Sequence, residues 1–161
     1  MPGNQLYRTP PGLFELIQRE LKLRFKLDAA ADAKNTLCKR FHDEQANGLT
    51  QPWSRDTWCN PPFARFGRWI EKAYRESCER DLVACVLGPA GACQKWFHET
   101  CPHGTVFVPD QRIAYVDPDT GEQTPGARGD SMIYVFGREF SAQVPSCYWH
   151  LEPFHIPDGT F

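Results

Sequence analysis

Within this chain of 161 residues, the tetrapeptide Asn60-Pro61-Pro62-Phe63 has the residue types and order best suited to chemistry. Two successive prolines fix the backbone and remove two N–H donors. What the tetrapeptide offers is therefore acceptor-rich: the Asn60 side-chain oxygen and the Pro61 carbonyl, with the Phe63 ring beside them. Two acceptors and a stacking ring suit a planar group carrying an –NH2, which has two hydrogens to donate and a π-face to stack. The amino nitrogen of a nucleobase is a poor nucleophile because its lone pair is delocalised into the ring. Accepting both hydrogens draws the nitrogen toward tetrahedral geometry and returns density to the lone pair. Asparagine is no strong base, and none is needed if the proton leaves after a methyl group has arrived; positioning supplies the rest. The competing reading is a rigid proline turn after a strand. The flanking sequence favours chemistry, because ligands of open α/β sheets bind beyond the carboxyl ends of strands. Thr57-Trp58-Cys59 reads as a short buried strand, and an amphipathic helix follows the tetrapeptide.

The elements that must position these residues follow from periodicity. Thr9 is a good N-cap and Pro10 suits the first helical position. Leu13, Leu16, Ile17, Leu21 and Arg24 then recur at helical spacing, which predicts an amphipathic helix over 10–23. Alternation over 23–28 predicts a strand ending at Asp28. Residues 29–41 open with alanines and predict a helix, and 43–57 a connecting loop. Phe66, Trp69, Ile70, Ala73 and Ser77 share one face of the second helix. The continuous apolar run 82–87 marks a strand covered on both faces of a parallel sheet, stopped by Gly88-Pro89. A helix is expected over 91–101, strands over 105–108, 112–116 and 131–136, and a turn over 117–121. Strands alternating with helices, then strands alone, predict an α/β fold with a mainly parallel sheet.

Composition excludes several classes. Apolar residues supply 41% and charged residues 24%, and the net charge is −2, which argues for one ordinary globular domain and against binding nucleic acid by bulk charge. The charge is uneven. Arg8, Arg19, Lys22, Arg24, Lys26, Lys34, Lys39 and Arg40 outnumber the acidic residues of the same stretch, so the N-terminal half is the side better suited to a polyanion. The longest apolar run is far short of the ~20 residues that cross a bilayer. Met1-Pro2-Gly3-Asn4-Gln5 lacks the pattern of a secretory signal, so a cytoplasmic protein is expected. The cysteines number seven, with no C-x-x-C pair, and predict free thiols in a reducing compartment. Cys93, His98, Cys101 and His103 match no common zinc spacing, and no metal is expected. Residues 1–140 read as one compact domain and 141–161 as a tail rich in proline and aromatics.

Further pieces stand in a recognisable order. They are Thr9-Pro10 with Leu13-Phe14, Leu27-Asp28-Ala29-Ala30-Ala31 with Asn35 and Cys38, and Gly48-Leu49 with Trp53. After Asn60-Pro61-Pro62-Phe63 come Leu87-Gly88-Pro89-Ala90 with Trp96-Phe97, Arg112-Ile113, and Arg128-Gly129-Asp130-Ser131-Met132. Together they resemble the small phage and prophage DNA N-6-adenine methyltransferases of the Dam type. These belong to the amino methyltransferases whose signature is Asp/Asn/Ser-Pro-Pro-Tyr/Phe/Trp. The resemblance implies a three-layer, Rossmann-like α/β sandwich, mainly parallel with a late antiparallel strand. It also implies S-adenosylmethionine as methyl donor and an adenine flipped out of double-stranded DNA as acceptor. Residue by residue, it implies catalysis at Asn60, Pro61, Pro62 and Phe63. It puts Thr9 and Pro10 at the cofactor's methionine end, Asp28, Ala29 and Ala30 in the first cofactor motif, and Asp43 or Glu44 on the ribose hydroxyls. Arg55, Arg65 and Arg68 flank the tetrapeptide, and with Arg112 and Arg128 are candidates for DNA contacts; the plain alternative for each is solvated surface. Three positions depart from the pattern. Ala29-Ala30-Ala31 replaces a glycine-rich turn while still letting a cofactor approach the backbone, Phe63 replaces the usual tyrosine, and Ala64 replaces a serine.

Two other readings stay open at this point. The same acceptors suit the N4 amine of cytosine, an RNA base or a protein glutamine, and the choice of adenine rests on the resemblance. Alternatively, the fold binds DNA or a partner without catalysis. A monomer is slightly favoured over an oligomer. The recognition sequence is not legible, because reading bases needs edge contacts from a dedicated element.

Overall fold

Alternation along the apolar runs decides how this chain packs. The computed structural model describes residues 7–10, 12–124 and 129–140, together with the backbone of 147–149. Residues 82–87 are all buried, and β4 spans Ala84–Pro89. Val83, Cys85 and Leu87 pack on one face with Leu13, Phe14 and Ile17 of α1 (Leu13–Glu20). Ala84 and Val86 pack on the other with Trp69, Ile70 and Ala73 of α2 (Phe66–Arg80). Successive side chains of a strand point to opposite faces, so an unbroken apolar run is what a doubly covered strand requires. The strand over 131–136 divides the same way: Ile133 and Val135 lie with α1, Tyr134 and Phe136 with α2. An isolated helix of eight residues is marginal in water. α1 therefore depends on its buried face, where each large apolar side chain contributes about 1.5–3 kcal/mol.

The remaining strands are β1 (Leu27–Asp28), β2 (Arg40–Phe41), β3 (Thr57–Cys59), β5 (Thr105–Pro109), β6 (Ser131–Phe136) and β7 (Cys147–Trp149). They join β4 in one sheet of order β2-β1-β3-β4-β6-β5-β7. Neighbours run parallel except where β6 pairs antiparallel with β4 and β5. α3 (Lys95–Thr100) links β4 to β5 and continues as a 3-10 turn over Cys101–His103.

Several expectations need correction. α1 starts at Leu13 rather than at residue 10. Gly12, with φ 81°, occupies the cap position, and Thr9 turns its hydroxyl elsewhere. The strand expected over 23–28 keeps only its last two residues, because the Phe25 N–H bonds the Gln18 side chain instead of a neighbouring strand. Residues 29–41 form no helix. The Ala29 N–H goes to the Trp58 carbonyl and the Ala31 N–H to that of His42, while Asp32 collects the N–H groups of Lys34 and Asn35. These tertiary and side-chain partners outcompete the alanines' helical preference. Gly88 and Pro89 extend β4 rather than stop it, facing Met132 and Ser131 of β6. The strand expected over 112–116 reduces to isolated bridges of Val116 with Arg8 and Gln123. Residues 141–161 fall outside the described residues except for β7, which adds a strand beside β5.

Candidate functional site

The parallel register of β2, β1, β3 and β4 brings their carboxyl ends to one edge of the sheet. From β1 the chain steps outward to β2 and then returns to β3 on β1's other side. The crevice beyond β1 and β3 is thus the switch point of the sheet, the place where open α/β folds bind ligands. Asp28 ends β1 and Asn60 directly follows β3, one on each side of that crevice.

Asn60 is half-buried. Its Nδ2 donates to the Tyr7 carbonyl at 3.1 Å and to Thr9 Oγ1 at 3.2 Å. The segment carrying those acceptors is fastened by two backbone bonds, Arg8 N–H to the Val116 carbonyl at 2.9 Å and Val116 N–H to the Arg8 carbonyl at 3.0 Å. Pro61 is buried and Phe63 half-buried. The Phe63 ring stands edge-to-face with Phe66 at 6.1 Å and with Tyr115 at 6.0 Å, a favoured aromatic geometry. Tyr115 is buried, and its phenol donates to Ser131 Oγ at 3.0 Å; burial pushes that phenol up despite the bond. Cys59, next to Asn60, is fully buried. Its thiol lies well above the usual range, first through burial and then through the charge of Asp28, so it is no nucleophile at neutral pH.

Across the crevice, Asp28 is buried. Its Oδ2 accepts the Leu37 N–H at 3.1 Å and its Oδ1 the Ala30 N–H at 3.5 Å. Burial pushes its carboxyl up to about 6 against the pull of those bonds. Ala29 is buried and Ala30 half-buried beside it. Asp43 follows β2 by two positions, is exposed, and accepts the Ala46 N–H through Oδ1 at 2.7 Å. The loop containing it closes tightly on β1. A Cβ on Gly48 would lie 1.9 Å from the Ala29 carbonyl oxygen, so only glycine fits there. Trp53 Nε1 donates to the Gly48 carbonyl, and the Trp53 N–H to Glu76 Oε2 at 3.0 Å. Glu76 in turn binds Lys72 at 2.5 Å and Arg80 at 2.6 Å.

The structure gathers Thr9, Asp28, Ala29, Ala30, Asp43 and the 60–63 tetrapeptide at this edge, with Pro10 buried next to Thr9. Arg65 and Arg68 are exposed at the start of α2, Arg65 in a left-handed conformation with φ 63°. Arg112 pairs with Asp130 at 3.4 Å beside the start of β6. Arg55 precedes the amino end of β3, the end opposite Asn60. Arg128 lies outside the described residues. Cys93 is exposed and Cys101 buried, and among the described residues no group of three His, Cys, Asp or Glu is placed to hold a metal. No described helix is long and apolar enough to cross a membrane. Sequence reasoning missed Tyr7 and Tyr115. A tyrosine inside a run read as an ordinary strand was the signal for Tyr115, since a buried phenol needs a partner. Nothing in the sequence marks a main-chain carbonyl such as that of Tyr7.

The chemistry on offer is a buried carboxyl and an exposed carboxylate on one side of the crevice, with an amide acceptor and an aromatic ring on the other. The family model described as DNA N-6-adenine-methyltransferase (Dam) matches residues 2–150. The DNA N-6-adenine-methyltransferase of Haemophilus phage HP1 (strain HP1c1) is 27% identical over 135 residues, covering 81% of this chain and 78% of that protein. The DNA N-6-adenine-methyltransferase of Escherichia phage T1 is 26% identical over 144 residues, covering 78% of this chain and 60% of its relative.

Proposed function

The chain belongs to the DNA N-6-adenine-methyltransferase (Dam) family, and from that premise we propose that it methylates adenine N6 in double-stranded DNA at the crevice between Asp28 and Asn60. The reading includes a three-layer Rossmann-like fold and a monomeric enzyme acting in the cytoplasm of a bacterial or phage-infected cell. One observation supports it: an acid that suits an ammonium group ends β1, and an amide that suits a base amine directly follows β3, its parallel neighbour.

The residues present fit the methyl donor that such a reaction needs. A buried carboxyl stands at the end of β1 with only small side chains after it, and an exposed carboxylate stands at the end of β2. When bound, S-adenosylmethionine supplies an electrophilic methyl group. Asp28 would hold its ammonium, Asp43 its ribose hydroxyls, and the main chain of Thr9 and Pro10 its methionine end, while Ala29 and Ala30 leave room at the backbone. Asn60 Oδ1 and the Pro61 carbonyl accept the two N6 hydrogens of the flipped adenine, and Phe63 stacks on its ring. Accepting both hydrogens restores the amine's lone pair, and holding the nitrogen in line removes the entropy of encounter. No side chain need remove a proton before the methyl arrives. Arg65, Arg68, Arg112 and Arg128 would hold phosphates around the flipped base, with Arg55 reaching the duplex farther from it.

The test is direct. Purified protein is incubated with S-adenosylmethionine and unmethylated plasmid DNA, and the DNA is digested to nucleosides and weighed. N6-methyldeoxyadenosine is expected. N4-methyldeoxycytidine, or a methylated protein glutamine with unmodified DNA, overturns the adenine reading. Failure to bind S-adenosylmethionine in calorimetry overturns catalysis altogether.

A pH dependence follows from Asp28. Its carboxyl ionises around pH 6, and an ammonium is attracted only to the ionised form. Cofactor affinity should rise about tenfold per pH unit below 6 and level off above 7, whereas Asp28→Asn should bind weakly with a flat profile. For the fold alone the sign is reversed. The raised carboxyl favours a protonated native state, so this contribution is complete below 3.8 and is lost as pH rises through about 6. A cofactor titration across pH 5–8 that shows no break near 6 removes Asp28 from the binding role.

A further inference from the structure

We infer that Thr9 is a positioning residue for Asn60, and that the Tyr7–Thr9 segment sets which end of the Asn60 carboxamide meets the substrate amine. The inference rests on the reading of Asn60 as the acceptor of the adenine N6 hydrogens.

The two ends of a carboxamide are nearly identical in shape and opposite in polarity. Turned the wrong way, Asn60 would present N–H groups to an amine that itself has only hydrogens to offer. Three features of this chain fix the turn. The Tyr7 carbonyl carries no hydrogen, so the atom 3.1 Å from it must be Nδ2. Thr9 Oγ1, at 3.2 Å, occupies the second Nδ2 hydrogen. The Tyr7–Thr9 segment cannot swing away, because Arg8 is bonded in both directions to Val116.

The two prolines add a complementary device. An asparagine in a turn commonly spends its side-chain oxygen on the N–H two residues ahead. Here that residue is Pro62, which has none. The local route that would consume Oδ1 is closed, while the amide nitrogen is held from a distant segment. Oδ1 is thus kept for the substrate by the chain on both sides.

Thr9→Val removes that hydroxyl at nearly constant shape, and Thr9→Ser retains it. In the full chain, single-turnover methyl transfer to adenine is measured at saturating S-adenosylmethionine and DNA, with the affinity for each measured separately. In parallel, 15N-labelled protein reports the Asn60 side-chain NH2 pair, assigned by its loss in Asn60→Asp. Thr9→Val should slow the saturated step about tenfold, the scale of one lost hydrogen bond, with both affinities within twofold of the parent. The NH2 pair should shift and exchange faster with solvent, and Thr9→Ser should restore rate and spectrum. A weakened cofactor affinity with an unchanged saturated rate assigns the Thr9 hydroxyl to the cofactor rather than to Asn60 and overturns the proposal. An unmoved NH2 pair also overturns it. If the parent protein forms no N6-methyladenine, the functional reading falls, and the spectrum still decides whether Thr9 holds Asn60.

Discussion

Asn60→Ala should abolish measurable methylation of adenine while S-adenosylmethionine still binds. The substitution removes one of two acceptors that strengthen as the amine turns tetrahedral. By analogy with the deletion of a single oxyanion-hole donor, the cost is about 3 kcal/mol, or roughly two orders of magnitude in rate. Asp28 stands on a separate strand with its own hydrogen bonds, so cofactor affinity is independent of the change. Phe63 provides the contrasting case. Phe63→Ala should weaken DNA binding at the flipped base, whereas Phe63→Tyr or Phe63→Trp should keep much of the activity because the ring is what stacks. Radiolabelled methyl transfer with calorimetry on the same samples separates these effects. An Asn60→Ala enzyme within fivefold of the parent would remove Asn60 from the chemistry.

The largest effect on stability is expected at Glu76, far from the reacting atoms. Its carboxylate is buried and holds Lys72, Arg80 and the Trp53 N–H together. Glu76→Ala leaves the buried Lys72 ammonium and the Trp53 N–H without their acceptor. Removing one partner of such a buried pair costs about 3–5 kcal/mol. It also frees the loop whose Gly48 closes on Ala29, so cofactor affinity should fall with stability. Burial alone would raise the Glu76 carboxyl. The Lys72 hydrogen bond, the Trp53 N–H and the charges of Lys72 and Arg80 outweigh it and hold the group below its ordinary value. A depressed carboxyl contributes stability that is present above 4.5 and lost as pH falls through its folded value. Parent and variant should therefore differ strongly in urea unfolding at pH 7 and converge in acid. A loss below 1 kcal/mol at pH 7 would mean that water replaces the carboxylate at little cost.

The parts of this molecule read correctly from sequence are those whose causes are local. Thr57-Trp58-Cys59 is a strand because all three side chains are buried, and Phe66 to Ser77 is a helix because its apolar positions share one face. Residues 29–41 misled because alanine content is a weak preference, and the hydrogen bonds that decided the matter come from Trp58 and His42. Of the candidate site, Asn60, Phe63 and Asp28 can be singled out in the sequence by their types and neighbours, and the fold brings them to one edge of the sheet. The Tyr7 carbonyl cannot, since any residue carries one, and it reaches Asn60 through tertiary contacts, the bridge of Arg8 to Val116 and the Tyr7 ring beside Tyr115. Arg55 shows the converse: five positions from Asn60 in sequence, it lies at the other end of the strand.

The place of β6 has a consequence for how the polypeptide comes into being. β6 lies between β4 and β5 and joins them, yet it follows both in the chain. On a ribosome, β4 emerges with its partner edge bare and stays so until residue 136 has left the exit tunnel. During that interval a fully apolar strand has an unsatisfied edge, the state in which nascent chains associate with one another. The pairing that ends it spans about fifty residues and is slow to form for that reason. Synthesis that pauses between residues 90 and 130 should therefore lower the yield of soluble protein more than a pause of equal length after residue 136.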